Sequence, residues 1–272
     1  MSKPHLIAVD LDGTLLTDNK IISSRTKLAL QNAMNAGHHV VIATGRPYRA
    51  SQMYYKELGL TTPIVNFNGA LVHHPTSSTW GTFHSPFDIK TAKQIIETGE
   101  SFTVKNILAE VIDDVYLHYH DEEMMNIFTT GNTKIQTGDL KEILLHDPTS
   151  VLIHANEEHV ADIRKHLSDV HAEVIDHRRW GAPWHVIEIV KSGLNKAVGL
   201  KRIAEHFNVP TDRIVAFGDE DNDLEMIDYA GHGVAMGNAI SQLQSISNFI
   251  TKTNEEDGIA HYLEEVLQLT RK

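Results

Sequence analysis

Polar side chains that could do chemistry stand directly after three apolar runs of the sequence. Two aspartates follow the first run. A threonine, a glycine and an arginine follow the second, and a dense acidic cluster follows the third. These stretches are residues 6–14, 39–46 and 214–223. Buried strands that end in such groups are typical of open α/β sheets, which place their ligands at the carboxyl edge.

Asp10 and Asp12 are spaced for a shared ligand. Residues i and i+2 of an extended chain point to the same side, and Gly13 then allows the chain to turn. Two carboxylates this close need a cation, a proton or both. The pair therefore predicts a nucleophile, Asp10, beside a general acid and base, Asp12. A simple Asp/Gly turn after a strand is the structural alternative.

The other two strand ends carry complementary groups. The Thr44 hydroxyl and the free backbone N–H groups near Gly45 suit the oxygens of a phosphoryl group. Asp219 follows its strand as directly as Asp10 does, so neighbouring strands would bring both carboxylates to one Mg²⁺. The acidic residues at 220–221 are better explained as the start of a helix.

With these stretches together, the chain resembles phosphatases of the haloacid dehalogenase superfamily, and more narrowly the Cof-type subfamily of small-molecule phosphatases. The resemblance covers the whole length of the chain. Its four motifs are Asp10-Leu11-Asp12-Gly13-Thr14, Thr44-Gly45, Gly193-Leu194-Asn195-Lys196, and Gly218-Asp219 followed by Asn222-Asp223. Stretches that match the subfamily are Asn68-Gly69-Ala70, Val234–Ala239 and Asp257–Ala260. Asp12 argues against a true dehalogenase, because that reaction makes no alkoxide that needs a proton.

The resemblance implies a role for each matching residue. Asp10 attacks phosphorus, and Asp12 is the general acid and base. The implied phosphate contacts are Leu11, Thr44, Gly45, Lys196 and Asn222. The implied Mg²⁺ ligands are the Asp10 side chain, the Asp12 carbonyl oxygen and the Asp219 carboxylate, with Asp223 in the outer shell. Without the other motifs, Lys196 would be interpreted as an ordinary exposed helix lysine.

Strand-like runs alternate with helical periodicity in both halves of the chain, which predicts a doubly wound, Rossmann-like parallel sheet. The segment between the halves has its own strand-like and helical runs and is bordered by Gly- and Ser-containing stretches. We predict a haloacid dehalogenase-like core at residues 1–78 and 191–272 and an inserted α/β domain at 79–190. By resemblance, the insert is a cap that closes over the core and sets substrate choice.

Composition agrees with a small-molecule enzyme. Among 272 residues, 36 acidic against 24 Lys and Arg residues give a net charge of −12, which disfavours tight binding to nucleic acid or anionic lipid. The sequence shows neither a signal-peptide pattern nor a membrane-spanning run, and it has no cysteine. These features favour a cytoplasmic protein. The 18 histidines show no zinc-site spacing and are expected on the surface or in packing.

The function predicted is Mg²⁺-dependent hydrolysis of phosphate monoesters of small metabolites through an aspartyl-phosphate. The candidates for contacting the substrate beyond its phosphate are Arg46, Arg179 and Trp184. One alternative is a phosphosugar phosphotransferase or mutase on the same core, and a weaker one is a non-catalytic, receiver-like phospho-acceptor module. The sequence leaves the physiological substrate and the oligomeric state open.

Overall fold

The computed structural model describes residues 3–128, 133–171, 173–179 and 185–268, without the side chains of residues 127 and 177–179. The chain divides into two compact units. Unit 1 comprises Met1–Arg46, Ser51–Phe83 and Asn195–Lys272, and unit 2 comprises Pro47–Ala50 and His84–Leu194. The bounds 79–190 of a functional insert stay a prediction.

The helices and strands are named in chain order. The strands are β1 Leu6–Val9, β2 His39–Ile42, β3 Ile64–Asn66, β4 Leu71–His73, β5 Thr82–His84, β6 Asn106–Val111, β7 Asp114–Leu117, β8 Ile135–Thr137, β9 Ser150–His154, β10 Ile175–Arg179, β11 Val186–Lys191, β12 Ile214–Gly218, β13 His232–Ala235 and β14 Phe249–Ile250. The α-helices are α1 Ser24–Asn35, α2 Tyr48–Leu58, α3 Ile89–Ser101, α4 Glu122–Phe128, α5 Leu140–Ile143, α6 Glu157–His171, α7 Lys196–Phe207, α8 Leu224–Tyr229, α9 Ser241–Ile246 and α10 Gly258–His261.

Unit 1 is built on a parallel sheet with the strand order β14-β13-β12-β1-β2. The central strand β1 pairs with β12 on one side and β2 on the other, so that Ala8 lies opposite both Ala216 and Val41. All four side chains of β1 are buried, as expected for a parallel strand covered on both faces. A parallel bridge between Ala43 and Val65 connects β2 to β3, which forms a small sheet with β4 and β5. The doubly wound parallel core is confirmed.

Local signals fix the ends of the helices in unit 1. The Ser23 hydroxyl accepts a hydrogen bond from the Thr26 N–H and begins α1. Asn195 caps α7 in the same way through the Val198 N–H. Asn208 ends α7 in the left-handed conformation.

Unit 2 contains a mixed sheet with the strand order β10-β11-β9-β6-β7-β8. Its pairs are antiparallel except for β7 with β8. Alternate residues of β6 enter different apolar clusters: Ile107 and Ala109 pack with residues of α3 and α6, whereas Leu108 packs with Met124 of α4. The expected α/β architecture of the insert is therefore present. In the described ranges, no helix has the length and hydropathy of a membrane span.

Candidate active site

Two aspartates meet at the carboxyl edge of the parallel sheet. Asp10 follows β1 and Asp219 follows β12, and these strands are neighbours with Val9 opposite Phe217. Ligand atoms of Asp10, Asp219 and Asp223 all lie within 4.8 Å of one another, and all three residues are buried. The expectation that the two strand ends converge agrees with this geometry.

Lys196 places its ammonium among these carboxylates. Its Nζ donates hydrogen bonds to Asp10 Oδ1 at 2.7 Å and to Asp223 Oδ1 at 2.8 Å. The side chain is fully buried although it belongs to the first residue of helix α7. The interpretation of Lys196 as an exposed helix lysine is therefore wrong. A buried ammonium needs such partners, because burial without them would favour its neutral form.

Both carboxylate oxygens of Asp223 are engaged. Oδ1 accepts from Lys196, and Oδ2 accepts from the backbone N–H groups of Asp219 at 3.0 Å and Glu220 at 3.2 Å. Gly218 makes this approach possible, because a Cβ there would lie 2.5 Å from the Asp223 side chain. Asp223 thus holds the loop that carries Asp219, which suits the predicted outer-shell role.

Asp219 is fixed from the opposite side by the loop after β1. The Thr14 hydroxyl donates to Asp219 Oδ1 at 2.7 Å. Gly13 has a φ of 73°, and a Cβ at this position would lie 2.1 Å from Asp219 Oδ2. Only glycine meets both conditions, so the chain can turn here without displacing the Asp219 carboxylate.

The electrostatics of the cluster favour an added cation. Burial, together with the Asp223 carboxylate, raises the pKa of Asp219 to about 7. Burial also raises the pKa of Asp10, against the opposing effect of Lys196. For Lys196, burial lowers the pKa but the Asp10 and Asp223 carboxylates outweigh it and raise the pKa. Three carboxylates against one ammonium are a donor set that fits a hard divalent cation.

Asp12 lies beside the cluster but has different partners. Arg46, just after β2, donates from Nε to Asp12 Oδ2 and from Nη2 to Oδ1, both at 2.6 Å. Lys20 Nζ donates to Oδ1 at 2.9 Å. Burial by itself would raise the pKa of Asp12, but the hydrogen bonds and charges of Arg46 and Lys20 lower it to about 2. Asp12 is therefore an anion held by two cations.

The remaining predicted phosphate contacts surround the same edge. The Thr44 hydroxyl accepts from the Arg46 N–H at 3.1 Å, and a Cβ on Gly45 would lie 3.2 Å from the Asn68 side chain. Asn222 donates to Asn68 Oδ1 at 3.0 Å. The side chain of Leu11 is buried. The phosphate contacts and the metal role of the Asp12 carbonyl oxygen stay predictions.

Other residues of the site carried no predicted role. They are Thr14, Lys20 and Asn68. Asn68 lies in a stretch that the resemblance had singled out, whereas the pairing of Lys20 with Asp12 had no signal in the sequence. Among the substrate-contact candidates, Arg46 belongs to unit 1 and binds Asp12. Trp184 and the side chain of Arg179 lie outside the described residues.

Comparison with known proteins agrees with this geometry. The sequence matches the family model of haloacid dehalogenase-like hydrolases over residues 7–263. The chain belongs to the haloacid dehalogenase-like hydrolase family. It is 59% identical over 268 residues to the Bacillus subtilis 5-amino-6-(5-phospho-D-ribitylamino)uracil phosphatase YitU, covering 98% of this chain and 99% of that one. It is 28% identical to the Escherichia coli pyridoxal phosphate phosphatase YbhA, covering 95% and 97% of the two chains.

Solved structures share the fold, among them that of a haloacid dehalogenase-like hydrolase. A Bacteroides thetaiotaomicron member superposes with a TM-score of 0.82 at 26% identity, covering 97% of this chain and all of the other. The Thermotoga maritima protein TM0651 gives the same TM-score at 28% identity, covering 97% and 98%. This haloacid dehalogenase-like hydrolase is thus an enzyme, and the predicted phosphatase activity is confirmed.

Proposed function

We propose that this hydrolase cleaves phosphate monoesters of small metabolites in two displacements at phosphorus. In the first, an Asp10 oxygen bonds to phosphorus while the bond from phosphorus to the leaving oxygen breaks, giving an aspartyl-phosphate. In the second, water attacks phosphorus and Asp10 is released. The observation that carries the proposal is the buried Asp10, whose Oδ1 is held by Lys196. In the described part of the chain, no residue donates a hydrogen bond to its Oδ2.

The residues around Asp10 have complementary tasks in this proposal. Lys196 attracts the phosphoryl oxygens as a point charge and, with the Thr44 hydroxyl, orients them. Asp10 and Asp219 would hold a Mg²⁺ ion. When bound, this ion would neutralise charge on the carboxylates and on the transferring phosphoryl group. Repulsion between the Asp10 carboxylate and an incoming phosphate dianion would then fall.

In this proposal Asp12 is the general acid and the general base. With a pKa of about 2, its carboxylate is ionised, which is the form that takes a proton from water in the second displacement. In the first displacement it must give a proton to the leaving oxygen. We infer that Arg46 and Lys20 loosen their hold on Asp12 when substrate binds, because two cations oppose its protonation.

The first substrate to test is 5-amino-6-(5-phospho-D-ribitylamino)uracil. A relative with 59% identity over nearly the full length of both chains carries this substrate in its name. The purified protein should release inorganic phosphate from this compound with Mg²⁺ and should stop when EDTA is added. Pyridoxal 5′-phosphate and an aryl phosphate are the comparison substrates, and we expect a lower kcat/KM for the former.

Asp10→Asn is the matched variant that tests Asp10 as the nucleophile. The change keeps the size of the side chain and removes the attacking oxyanion, so turnover should fall by at least about 10³-fold. Mass spectrometry of the acid-quenched wild type should show a phosphorylated peptide that contains residue 10. Phosphate release by folded Asp10→Asn at a tenth of the wild-type rate would overturn the assignment.

We further propose that residues 79–190 set substrate choice but not the chemistry. All the groups named above for the phosphoryl centre belong to unit 1. Arg179→Ala and Trp184→Ala should therefore change relative kcat/KM among phosphorylated metabolites more than hydrolysis of the aryl phosphate. Lys90→Ala, which removes an exposed cation from helix α3 of unit 2, is the control. Equal losses on every substrate would count against this division of labour.

A further inference from the structure

Two asparagines outside the predicted site fasten the loop that carries Asp10 and Asp12. Asn238 lies after β13, and its Nδ2 donates to the Gly13 carbonyl oxygen at 2.8 Å. Asn254 Nδ2 donates to the Leu16 carbonyl oxygen at 3.0 Å. The segment from Asp12 to Leu16 is therefore held at two carbonyl groups by side chains more than 200 residues away in the sequence.

Asn238 is itself oriented by Asn254. Its Oδ1 accepts the Asn254 backbone N–H at 3.0 Å, which leaves Nδ2 to face Gly13. An amide has one oxygen and one NH₂ group, so this contact selects the orientation of the side chain. Asn238 is exposed, yet both ends of its amide have a backbone partner. Because Asn238 is exposed and both ends of its amide are hydrogen-bonded to the backbone, it holds a loop in place and does not fill the core.

The loop around Asn238 also contacts the Asp219 segment. The Ile240 N–H donates to the Asp219 carbonyl oxygen at 2.9 Å, and the Met236 N–H donates to the Gly218 carbonyl oxygen at 3.0 Å. Residues 236–240 therefore bind both strand ends that carry the facing carboxylates. They act as a common support for the two loops.

A small movement of Gly13 would change the contacts that hold the Asp219 carboxylate. The Gly13 Cα lies so close to the Asp219 side chain that a Cβ on it would be 2.1 Å from Asp219 Oδ2. The hydroxyl of the next residue, Thr14, donates a hydrogen bond to Asp219 Oδ1 at 2.7 Å. The Gly13 carbonyl group that Asn238 holds is thus next to both contacts. Without the hydrogen bond from Asn238, this peptide group could rotate and displace the Thr14 hydroxyl.

We propose that Asn238 is a positioning residue for the divalent cation. By holding the Gly13 carbonyl group, it keeps Gly13 and Thr14 against Asp219 and so sets the distance between the Asp219 and Asp10 carboxylates. This inference rests on the proposed function for the choice of Mg²⁺. It goes beyond that function because it places a determinant of metal affinity in a loop that contributes no ligand.

The test compares Asn238→Asp and Asn238→Ala with Asn248→Asp. Asn238→Asp keeps the acceptor for the Asn254 N–H but loses the donor to Gly13, whereas Asn238→Ala loses both. Asn248 is an exposed asparagine near the other end of β13, where its Oδ1 accepts the Gly233 N–H at 2.6 Å. It is therefore a matched control that receives the same added charge.

Calorimetric titration with Mg²⁺ in the absence of substrate provides the main measurement. We expect the Mg²⁺ dissociation constant to rise about 10-fold in both Asn238 variants and to stay unchanged in Asn248→Asp. The charge added by Asn238→Asp would by itself tighten cation binding, so weaker binding must come from geometry. The Mg²⁺ concentration for half-maximal phosphatase activity should rise in parallel, and the free energy of unfolding of the metal-free protein in urea should fall by less than the free energy of Mg²⁺ binding does.

Several outcomes would overturn the inference. These are wild-type Mg²⁺ affinity in either Asn238 variant, an equal loss in Asn248→Asp, or a loss that accompanies an equal fall in urea stability of the metal-free protein. A wild type that does not bind Mg²⁺ would overturn the inference together with the proposed metal. A wild type that binds Mg²⁺ but releases no phosphate would overturn only the proposed function.

Discussion

The two ends of the parallel sheet in unit 1 carry opposite chemistry. At the amino end, His5 precedes β1, His38 precedes β2 and His232 begins β13. The His5 ring lies 5.2 Å from the His38 ring and 6.4 Å from the His232 ring. At the carboxyl end of the same sheet, Asp10 and its neighbouring carboxylates surround a buried ammonium.

Burial alone does not explain this contrast. Asp10 is 5% exposed and His38 is 6% exposed, so both lose nearly all of their contact with water. Asp10 faces the Lys196 ammonium, which favours a charged partner. The Nδ1 of His38 instead accepts the His5 backbone N–H at 3.0 Å, and only an unprotonated Nδ1 can accept this bond.

The comparison shows that the two ends of one sheet differ in purpose: the carboxyl end serves function and the amino end serves stability. The carboxyl end accumulates charge that is only partly balanced, which a cation and a phosphate can use. At the amino end the histidine rings disfavour protonation: burial lowers the pKa of His5 and of His38, and the positive charges of His38, His232 and Arg213 lower the pKa of His5 further, against a smaller opposing effect of Asp212. Changes at the first end should therefore act on turnover, with or without an effect on stability, and changes at the second on stability alone.

After loss of the nucleophile in Asp10→Asn, the next largest effect at the carboxyl end is expected from Asp12→Asn. This change keeps the shape of the side chain but removes its ability to give and take a proton, so kcat should fall by about 10² to 10⁴-fold on an alkyl phosphate. The loss should be smaller on an aryl phosphate, whose leaving oxygen needs less protonation. Steady-state kinetics on the two substrates measures the difference. Equal losses would show that Asp12 acts at this end through charge or shape rather than through its proton.

Lys196→Met should affect both turnover and stability. It leaves Asp10 and Asp223 buried without their ammonium, so we expect kcat to fall by about 10² to 10³-fold and the free energy of unfolding to fall by about 3 kcal/mol. Phosphate release and urea unfolding followed by circular dichroism measure the two losses. Lys201→Met, at an exposed position of the same helix α7, is the control. A folded Lys196→Met variant with wild-type kcat would show that the Lys196 ammonium has no role in the mechanism.

The sequence predicted best those strands that are buried on both faces. The runs at 6–9, 39–43 and 214–217 closely match β1, β2 and β12, because a parallel strand covered by helices on both faces must be apolar throughout. Strand β10, Ile175–Arg179, was not predicted. It lies at the edge of its sheet and its sequence is mostly polar, so neither an apolar run nor a clear alternation marks it.

The same limit applies within the site. Short side chains on the strand ends, such as Asp10 and Asp219, could be placed because the backbone direction fixes where they point. The contacts of Arg46 and Lys20 with Asp12 could not, since long flexible side chains have many rotamers and their partner is chosen by the tertiary structure. Lys196 was recognised through its motif, whereas its complete burial became evident only from the fold.

The smallest effect, and the sharpest test of the amino end, concerns the dependence of stability on pH. In the folded protein the pKa values of His5 and His38 are lowered, whereas the unfolded chain has the ordinary value of about 6.5. Well above pH 6.5 both states are neutral and these rings contribute no pH dependence. As the pH falls below 6.5, the unfolded chain binds protons that the folded chain does not, so the free energy of unfolding decreases.

His38→Asn should remove part of this decrease. Asparagine does not titrate, and its Oδ1 can accept the His5 N–H in place of the ring nitrogen. Urea unfolding at pH 7.5 and 5.5 should show a loss of stability for the wild type that is about 1 kcal/mol larger than for His38→Asn, since one proton changes stability by about 1.4 kcal/mol per pH unit. His146→Asn, at an exposed position, should keep the wild-type dependence. At pH 7.5 the kcat of His38→Asn should equal that of the wild type, because the ring lies at the end of the sheet opposite Asp10. Identical pH profiles for the wild type and His38→Asn would mean that folding does not disfavour protonation of His38, and the contrast between the two ends would then rest on the carboxylates alone.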